Sequence, residues 1–306
     1  MKSFLPDPRS SRAARAVWLT FAACMLAGAF GSVALADDKM LEITTRNEDG
    51  QTHFYVQNRS VGNVTITLNA RLVNMDPSEE LPYTVVIPGK QTVDAFTLTP
   101  SRSEAAWNYT YTYACNHGSA AAKHDERQVY ELPYAPGSSF RVVQGHHGTF
   151  SHTGQDEYAI DWKMPEGTAV LAARDGLVVK SKDDSNKGGP DRKFEKFANC
   201  IMVQHADGTI GVYLHLQKGG NKVKAGDQVK AGDVIGLSGN TGFSSGSHLH
   251  FAVFKMKSGS ERISIPVKFR TAESEAEIPV SGHAYMAVKA PELVAEGGAR
   301  TGQSGN

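Results

Sequence analysis

The feature that most constrains this chain is a period of two. From about Leu41 to Tyr134, apolar and polar residues alternate in short runs, as in His53-Phe54-Tyr55-Val56, Val64-Thr65-Ile66-Thr67-Leu68 and Tyr109-Thr110-Tyr111-Thr112-Tyr113. Successive side chains of a strand point to opposite faces, so such runs bury one face of a sheet and would scatter their apolar residues around a helix. Gly, Pro and Asn punctuate them, and no long helix-period stretch follows residue 40. The pattern predicts a mostly β protein with a β-sandwich-like N-terminal domain. With 306 residues there is length for a second domain and a sizeable core. Basic and acidic residues balance at 32 each, which does not suggest a polyanion-binding surface, and no nucleic acid partner is expected.

Residues 1–36 read as a secretory signal. Lys2, Arg9, Arg12 and Arg15 precede an apolar run from Ala16 to about Phe30, and Ala34-Leu35-Ala36 offers a small-x-small cleavage site. The run falls short of the ~20 residues that span a bilayer, so no stable membrane span is expected after cleavage. Removal of the signal leaves 28 basic against 31 acidic residues, too even a balance for strong electrostatic steering. Cys115 and Cys200 remain, open to a bridge in an oxidising compartment or to life as two buried thiols.

The expected organisation is a signal peptide at 1–36, a β-rich accessory domain at 37–134, a catalytic domain at 135–272, and a C-terminal strand and flexible tail at 273–306. His117 and His124 read as a solvated loop of the first domain. Seven of the 11 histidines fall between His146 and His250, which concentrates ligand and acid-base capacity in the second. Asp175-Gly176 and Asp207-Gly208 read as hairpin turns. The near-repeat Lys224-Ala225-Gly226-Asp227 and Lys230-Ala231-Gly232-Asp233 reads as two successive tight turns. The charged stretch between Lys180 and Ala198, with Phe194 and Phe197, is either an exposed loop or a wall of a substrate cleft.

Three segments carry chemistry. An H-x-H pair on a strand places His248 and His250 on one face, with Leu249 and Phe251 on the other. Tyr213 and His215 are expected to face together in the same way. Asp161 stands between Ile160 and Trp162, so a strand turns its carboxylate away from the face those two bury.

Taken with Gly167-Thr168, Asp175-Gly176 and Gly239-Asn240-Thr241-Gly242, these segments resemble the lysostaphin/LytM-type zinc metalloendopeptidases, which are peptidoglycan hydrolases, over roughly residues 140 to 270. The resemblance implies an antiparallel β peptidase domain with an active-site groove and one Zn²⁺ per chain. By matching positions, Asp161 and His250 are two ligands. The usual family spacing is H-x-x-x-D, but Glu157 stands four residues before Asp161, and the nearest upstream histidine is His152. His152 is taken as the third ligand, across an enlarged loop from Thr153 to Tyr158, with His146, His147 and Glu157 as alternatives. There is no H-E-x-x-H, and the resemblance gives the proton chemistry to two histidines that are not ligands: His248 as base and His215 to orient water or stabilise the oxyanion, the roles being interchangeable.

The implied function is an exported, periplasmic or extracellular, zinc-dependent endopeptidase that hydrolyses amide bonds in peptidoglycan stems or cross-links. The alternative is an inactive relative that binds the wall or regulates other hydrolases. A lipoyl or biotinyl carrier, suggested by the turns around Val229 and by Lys255-Met256-Lys257, is the reading from a different class.

Overall fold

A computed structural model describes residues 40–289, and the signal pattern at 1–36 and the chain from 290 lie outside the described residues. The alternating N-terminal runs form two sheets. One orders Leu41–Glu48, Gln51–Asn58, Thr92–Pro100 and Met75–Pro77, and the other orders Tyr83–Ile87, Val64–Val73 and Asn108–His117. Between them lies a core built on Phe54, Val56, Ile66, Leu68, Ile87 and Leu98. Phe54 stacks on Phe96 with ring centroids 4.3 Å apart and meets the edges of Tyr109 and Tyr111 at 5.5 and 5.3 Å. Each large apolar side chain so buried contributes ~1.5–3 kcal/mol, which is what makes the two-residue period decisive.

The second sheet system has nine strands. In spatial order these are Gln228–Val229, Gly176–Lys182, Cys200–Gln204, Ile210–Leu214, Leu249–Met256, Ile160–Trp162, Ser139–Gln144 and Ala284–Met286, with Arg262–Ile265 also paired to Leu249–Met256. The Leu249–Met256 strand is buried on both faces. Leu249, Phe251 and Val253 enter a core with Trp162, Tyr213 and Phe269, while Ala252, Phe254 and Met256 join a separate cluster with Met202, Ile210 and Val212. His250 belongs to this second row, so the chemistry sits at one end of a sheet face whose remainder is apolar.

The turns do what the near-repeat predicts. Lys224 N donates to Asp227 Oδ2 at 2.9 Å and Lys230 N to Asp233 Oδ2 at 2.7 Å, the same closure twice. Asp207-Gly208 joins two paired strands, with Gly208 at φ +83°. Asp175-Gly176 does not make a hairpin. The strand before it, Ala169–Leu171, pairs with Val234–Leu237, whereas Gly176–Lys182 pairs with Cys200–Gln204 and Gln228–Val229. A dipeptide with turn chemistry can equally deliver the chain to a new sheet, and register with distant strands decides which.

The two parts meet along a polar seam. Asn63 N donates to Gln204 Oε1 at 2.7 Å, Gly259 N to Thr67 Oγ1 at 2.8 Å and Lys123 N to Asp207 O at 3.1 Å. His117 and His124 are at this seam and are not solvated: His117 is 7% exposed, and the His124 side chain lies beside Asp207, Nδ1 to Oδ2 3.8 Å. Their polar sequence neighbourhood gave no sign that a second sheet would cover them. The C-terminal core takes in Tyr130, Leu132 and Tyr134, upstream of residue 135, and Tyr134 Oη donates to Tyr285 O at 2.8 Å. Cys115 and Cys200 are buried in different sheets and do not bridge.

Candidate active site

Three neighbouring strands present the site. Asp161 on Ile160–Trp162 and Leu214 on Ile210–Leu214 both lie opposite His250, which is therefore central. Directly opposed residues of an antiparallel pair point to the same face, so Asp161 and His250 converge while Ile160, Trp162 and Phe251 fill the core behind them. His250 Nδ1 stands 2.9 Å from Asp161 Oδ1 and His152 Nε2 stands 3.2 Å from Asp161 Oδ2. One ligand atom from each of His152, Asp161 and His250 can be chosen so that all lie within 4.8 Å of one another, and all three residues are buried.

The hydrogen-bond pattern states what this cluster lacks. His152 Nδ1 donates to Gly145 O at 2.8 Å, which fixes the proton on Nδ1 and leaves a lone pair on Nε2. That lone pair faces a carboxylate, which when ionised only accepts. The contact is 3.2 Å long and yet Nε2 has no hydrogen-bond partner, as has Nε2 of His250. Two acceptors at this distance need a proton or a cation between them. One oxygen of Asp161 lies 2.9 Å from a His250 nitrogen and the other 3.2 Å from a His152 nitrogen, separations that N and O ligands of a small divalent ion can adopt. The donor set therefore fits a small divalent cation.

The charge balance points the same way. Burial disfavours ionised Asp161, but the imidazoles of His152 and His250 outweigh it and hold the carboxyl well below the usual carboxylate range. Burial also disfavours charge on His152, and the Asp161 carboxylate overcomes it and raises that pKa. A positive charge at this point is what the surrounding groups stabilise.

His248 and His215 close the site. His248 Nδ1 donates to Gly246 O at 2.8 Å, and its Nε2 is 3.8 Å from Asp161 Oδ1. His215 Nδ1 donates to Thr241 O at 2.6 Å. The two rings are 4.6 Å apart, and His215 is 5.8 Å from the His250 ring. In both, the carbonyl fixes the proton on Nδ1, so Nε2 is the atom left to accept one. Burial, with His248 and His250 close by, pushes the His215 pKa down to about 3.

The expectation that Tyr213 and His215 share a face is overturned. Tyr213 is fully buried in the core, its Oη accepting from Ala173 N at 2.8 Å. The strand ends at Leu214, and His215 has φ +65°, a left-handed conformation that breaks the alternation. Strain at that single residue delivers the imidazole to the site, a device to which a period-two reading is blind.

The other sequence candidates lie apart. His147 Nδ1 contacts Glu157 Oε1 at 3.1 Å, and the rings of both His146 and His147 meet the Tyr158 ring edge-on. The stretch between Lys180 and Ala198 is more than a solvated loop. Gly188–Gly189 pairs with Gly242–Phe243, and residues 192–197 form a short 3₁₀ helix. Arg192 lies over the Phe243 ring at 5.1 Å, and Phe243 stacks on Phe150 at 5.4 Å. Reasoning from sequence missed Gln144, whose Nε2 donates to Asp161 Oδ2 at 3.1 Å, and Phe150, because neither sits in a motif.

Residues 155–262 match Peptidase family M23, a span that contains Asp161, His215, His248 and His250 and begins just after His152. Among curated relatives, the chain is 40% identical over 91 residues to the peptidoglycan DD-endopeptidase ShyA of Vibrio cholerae, covering 30% of this chain and 18% of that one. It is 36% identical over 100 residues to the DD-carboxypeptidase/endopeptidase Mpg of Neisseria meningitidis, covering 33% and 20%. The chain spans less than a quarter of the length of these relatives. Among solved structures, the catalytic domain of the antimicrobial peptidase lysostaphin from Staphylococcus simulans aligns at 29% identity, covering 42% of this chain and 87% of that one, with a TM-score of 0.30. The buried His-Asp-His cluster and its two flanking imidazoles thus fall within, or just before, the span that matches Peptidase family M23.

Proposed function

We propose that this chain is an exported zinc-dependent endopeptidase that hydrolyses amide bonds in the peptide stems or cross-links of peptidoglycan, in the periplasm or outside the cell. The observation that carries the proposal is the buried cluster of His152, Asp161 and His250 with the His215 and His248 rings against it. Support for the substrate comes from the names of the relatives, DD-endopeptidase and DD-carboxypeptidase/endopeptidase, and support for export from the pattern at residues 1–36.

In this reading His152, Asp161 and His250 hold one Zn²⁺. The ion supplies Lewis acidity, polarising the scissile carbonyl and making a water molecule acidic near neutral pH. His248, with its proton fixed on Nδ1 by Gly246, offers Nε2 as the base that takes a proton from the attacking water and returns it to the leaving amine. His215, neutral because of its burial and steered by Thr241, accepts from the same water and sets its direction of attack. These two roles remain interchangeable. Phe243, stacked on Phe150 and with Arg192 over its ring, offers apolar and cationic surface to a peptide stem that carries carboxylates.

The decisive experiment is digestion of purified sacculi with and without chelator, with mass analysis of the released fragments. Fragments cut at peptide amides, lost with chelator and restored by zinc, are expected; digestion that persists in chelator overturns the zinc reading. His152→Ala should lower zinc affinity and His146→Ala should not, and the opposite ranking moves the ligand to His146.

A further inference from the structure

His152 and Asp161 stand nine residues apart on different segments, so something outside the chain between them must hold the two at ligand geometry. We infer that Gln144 is a positioning residue that clamps the segment leading into His152, residues 145–151, to the ligand Asp161 and so sets metal affinity; the inference rests on the zinc reading above. Gln144 ends the Ser139–Gln144 strand and lies opposite Asp161 in the register. Its Oε1 accepts from Phe150 N at 3.1 Å and from Ser151 N at 3.3 Å. Its Nε2 donates to Ser151 Oγ at 2.7 Å and to Asp161 Oδ2 at 3.1 Å. An amide has two donor hydrogens and two acceptor lone pairs, and all four are used here.

The orientation of this amide is forced. Backbone N–H groups at 150 and 151 only donate, so oxygen must face them, and the Asp161 carboxylate only accepts, so nitrogen must face it. A reversed amide would oppose like groups on both sides. The loop is shaped around the side chain: a Cβ at Gly148 would stand 2.2 Å from Gln144 Cγ, so only glycine lets the backbone pass there. The loop's own bonds complete the closure. Gly145 O accepts from Gly148 N at 3.2 Å and from His152 Nδ1 at 2.8 Å, and Gly148 O accepts from His152 N at 3.0 Å. Gln144 thus touches both ligand segments, the carboxylate directly and His152 through Ser151.

The consequence for the metal concerns Asp161. With Nε2 of Gln144 on Oδ2, the rotation of the carboxylate is fixed, and with it the directions in which Oδ1 meets His250 and Oδ2 meets His152. Outer partners of this kind typically alter metal affinity ~10–100-fold when removed.

The test measures zinc affinity of the parent, Gln144→Met and Gln144→Glu by competition with a chromophoric chelator, together with the absorption spectrum of each Co²⁺ form. A parent that binds neither ion overturns the zinc reading itself. With a parent that binds, Gln144→Met is expected to weaken zinc by ~10–100-fold, and affinity within twofold of the parent overturns the inference. Gln144→Glu keeps an acceptor for both loop amides while replacing the amide donor to Asp161 with a second acceptor. Its Co²⁺ spectrum is expected to shift because the carboxylate donor has changed, which a merely structural role would not produce. An unchanged spectrum overturns the inference even where Gln144→Met fails to fold.

Discussion

The interior of the N-terminal sandwich and the active-site end of the C-terminal sheet treat buried polar groups in opposite ways. In the N-terminal sandwich, buried Asn58 is saturated: Nδ2 donates to Gly62 O and Ile87 O, both at 2.9 Å, and Oδ1 accepts from Ser60 N and Ser60 Oγ at 2.8 and 2.7 Å. Thr65 Oγ1 likewise donates to Gly118 O at 2.9 Å and accepts from Ala120 N at 3.0 Å. In the C-terminal sheet, His152, His205 and His250 each keep a buried ring nitrogen without a partner. Such an atom costs ~1–3 kcal/mol, so the polar groups inside the sandwich build structure, while the C-terminal sheet holds some in reserve. The unpartnered Nε2 of His152 faces the Asp161 carboxylate at 3.2 Å, whereas that of His205 faces none, and that separates a nitrogen waiting for a ligand from one that is only buried.

The comparison breaks most visibly at His250. His250→Ala should remove stoichiometric zinc, measured by elemental analysis, and reduce wall digestion to the level of chelator-treated parent. A variant that retains zinc and digests sacculi like the parent would show that the reserved nitrogens serve no metal. His248→Ala asks a finer question, because its Nε2 faces the cluster from 3.8 Å without belonging to it. Zinc should remain near stoichiometric while the digestion rate falls ~10²–10⁴-fold, the usual worth of a general acid-base group. Loss of zinc together with rate would make His248 a ligand.

The sandwich supplies the converse case. Phe54 is fully buried against Phe96, Tyr109 and Tyr111, so Phe54→Ala should cost ~3–5 kcal/mol in urea unfolding of the sandwich. Zinc affinity of the folded protein should be unchanged, since no chemistry passes through that core. A parallel loss of zinc would mean that the seam at Asn63, Thr67 and Lys123 transmits the damage.

Much of this contrast was legible in sequence, for a reason that also marks its limit. Alternation is local, so Phe54 and Val56, Ile160 and Trp162, and the shared direction of His248 and His250 could be read before any fold was known. His215 could not be placed, because its φ of +65° reverses the alternation at one residue and that residue is not glycine. Gln144 carries no motif, and its role exists only once strand register sets it opposite Asp161. His117 and His124 looked solvated because their neighbours are polar, and the covering surface comes from residues nearly 90 positions away. What sequence hides is long-range register and single-residue exceptions to periodicity.

His205 gives the sharpest form of the comparison with the smallest effect. Its Nδ1 donates to Asp175 O at 2.8 Å, its Nε2 is unpartnered, and it lies edge-on to Tyr130 at 5.7 Å. Burial pushes its pKa down to about 4, with the Asp175 carbonyl and Asp207 opposing the shift and Arg174 and His124 adding to it. The unfolded chain therefore binds this proton near pH 6.5 and the folded chain only near pH 4, so its stabilising effect is present above pH 6.5 and is lost as pH falls through that window. From pH 7 to pH 5 the loss through this one group should be about 2 kcal/mol. His205→Gln, neutral throughout, should have a correspondingly flatter dependence in urea unfolding of chelator-treated protein. Parallel curves for parent and variant would mean that the folded site accommodates the proton after all, and an unpartnered nitrogen would then be no guide to what a buried imidazole will bind. If the curves diverge as expected, an orphaned nitrogen alone reports desolvation, and the second acceptor facing it, as Asp161 faces His152, is what points to a cation.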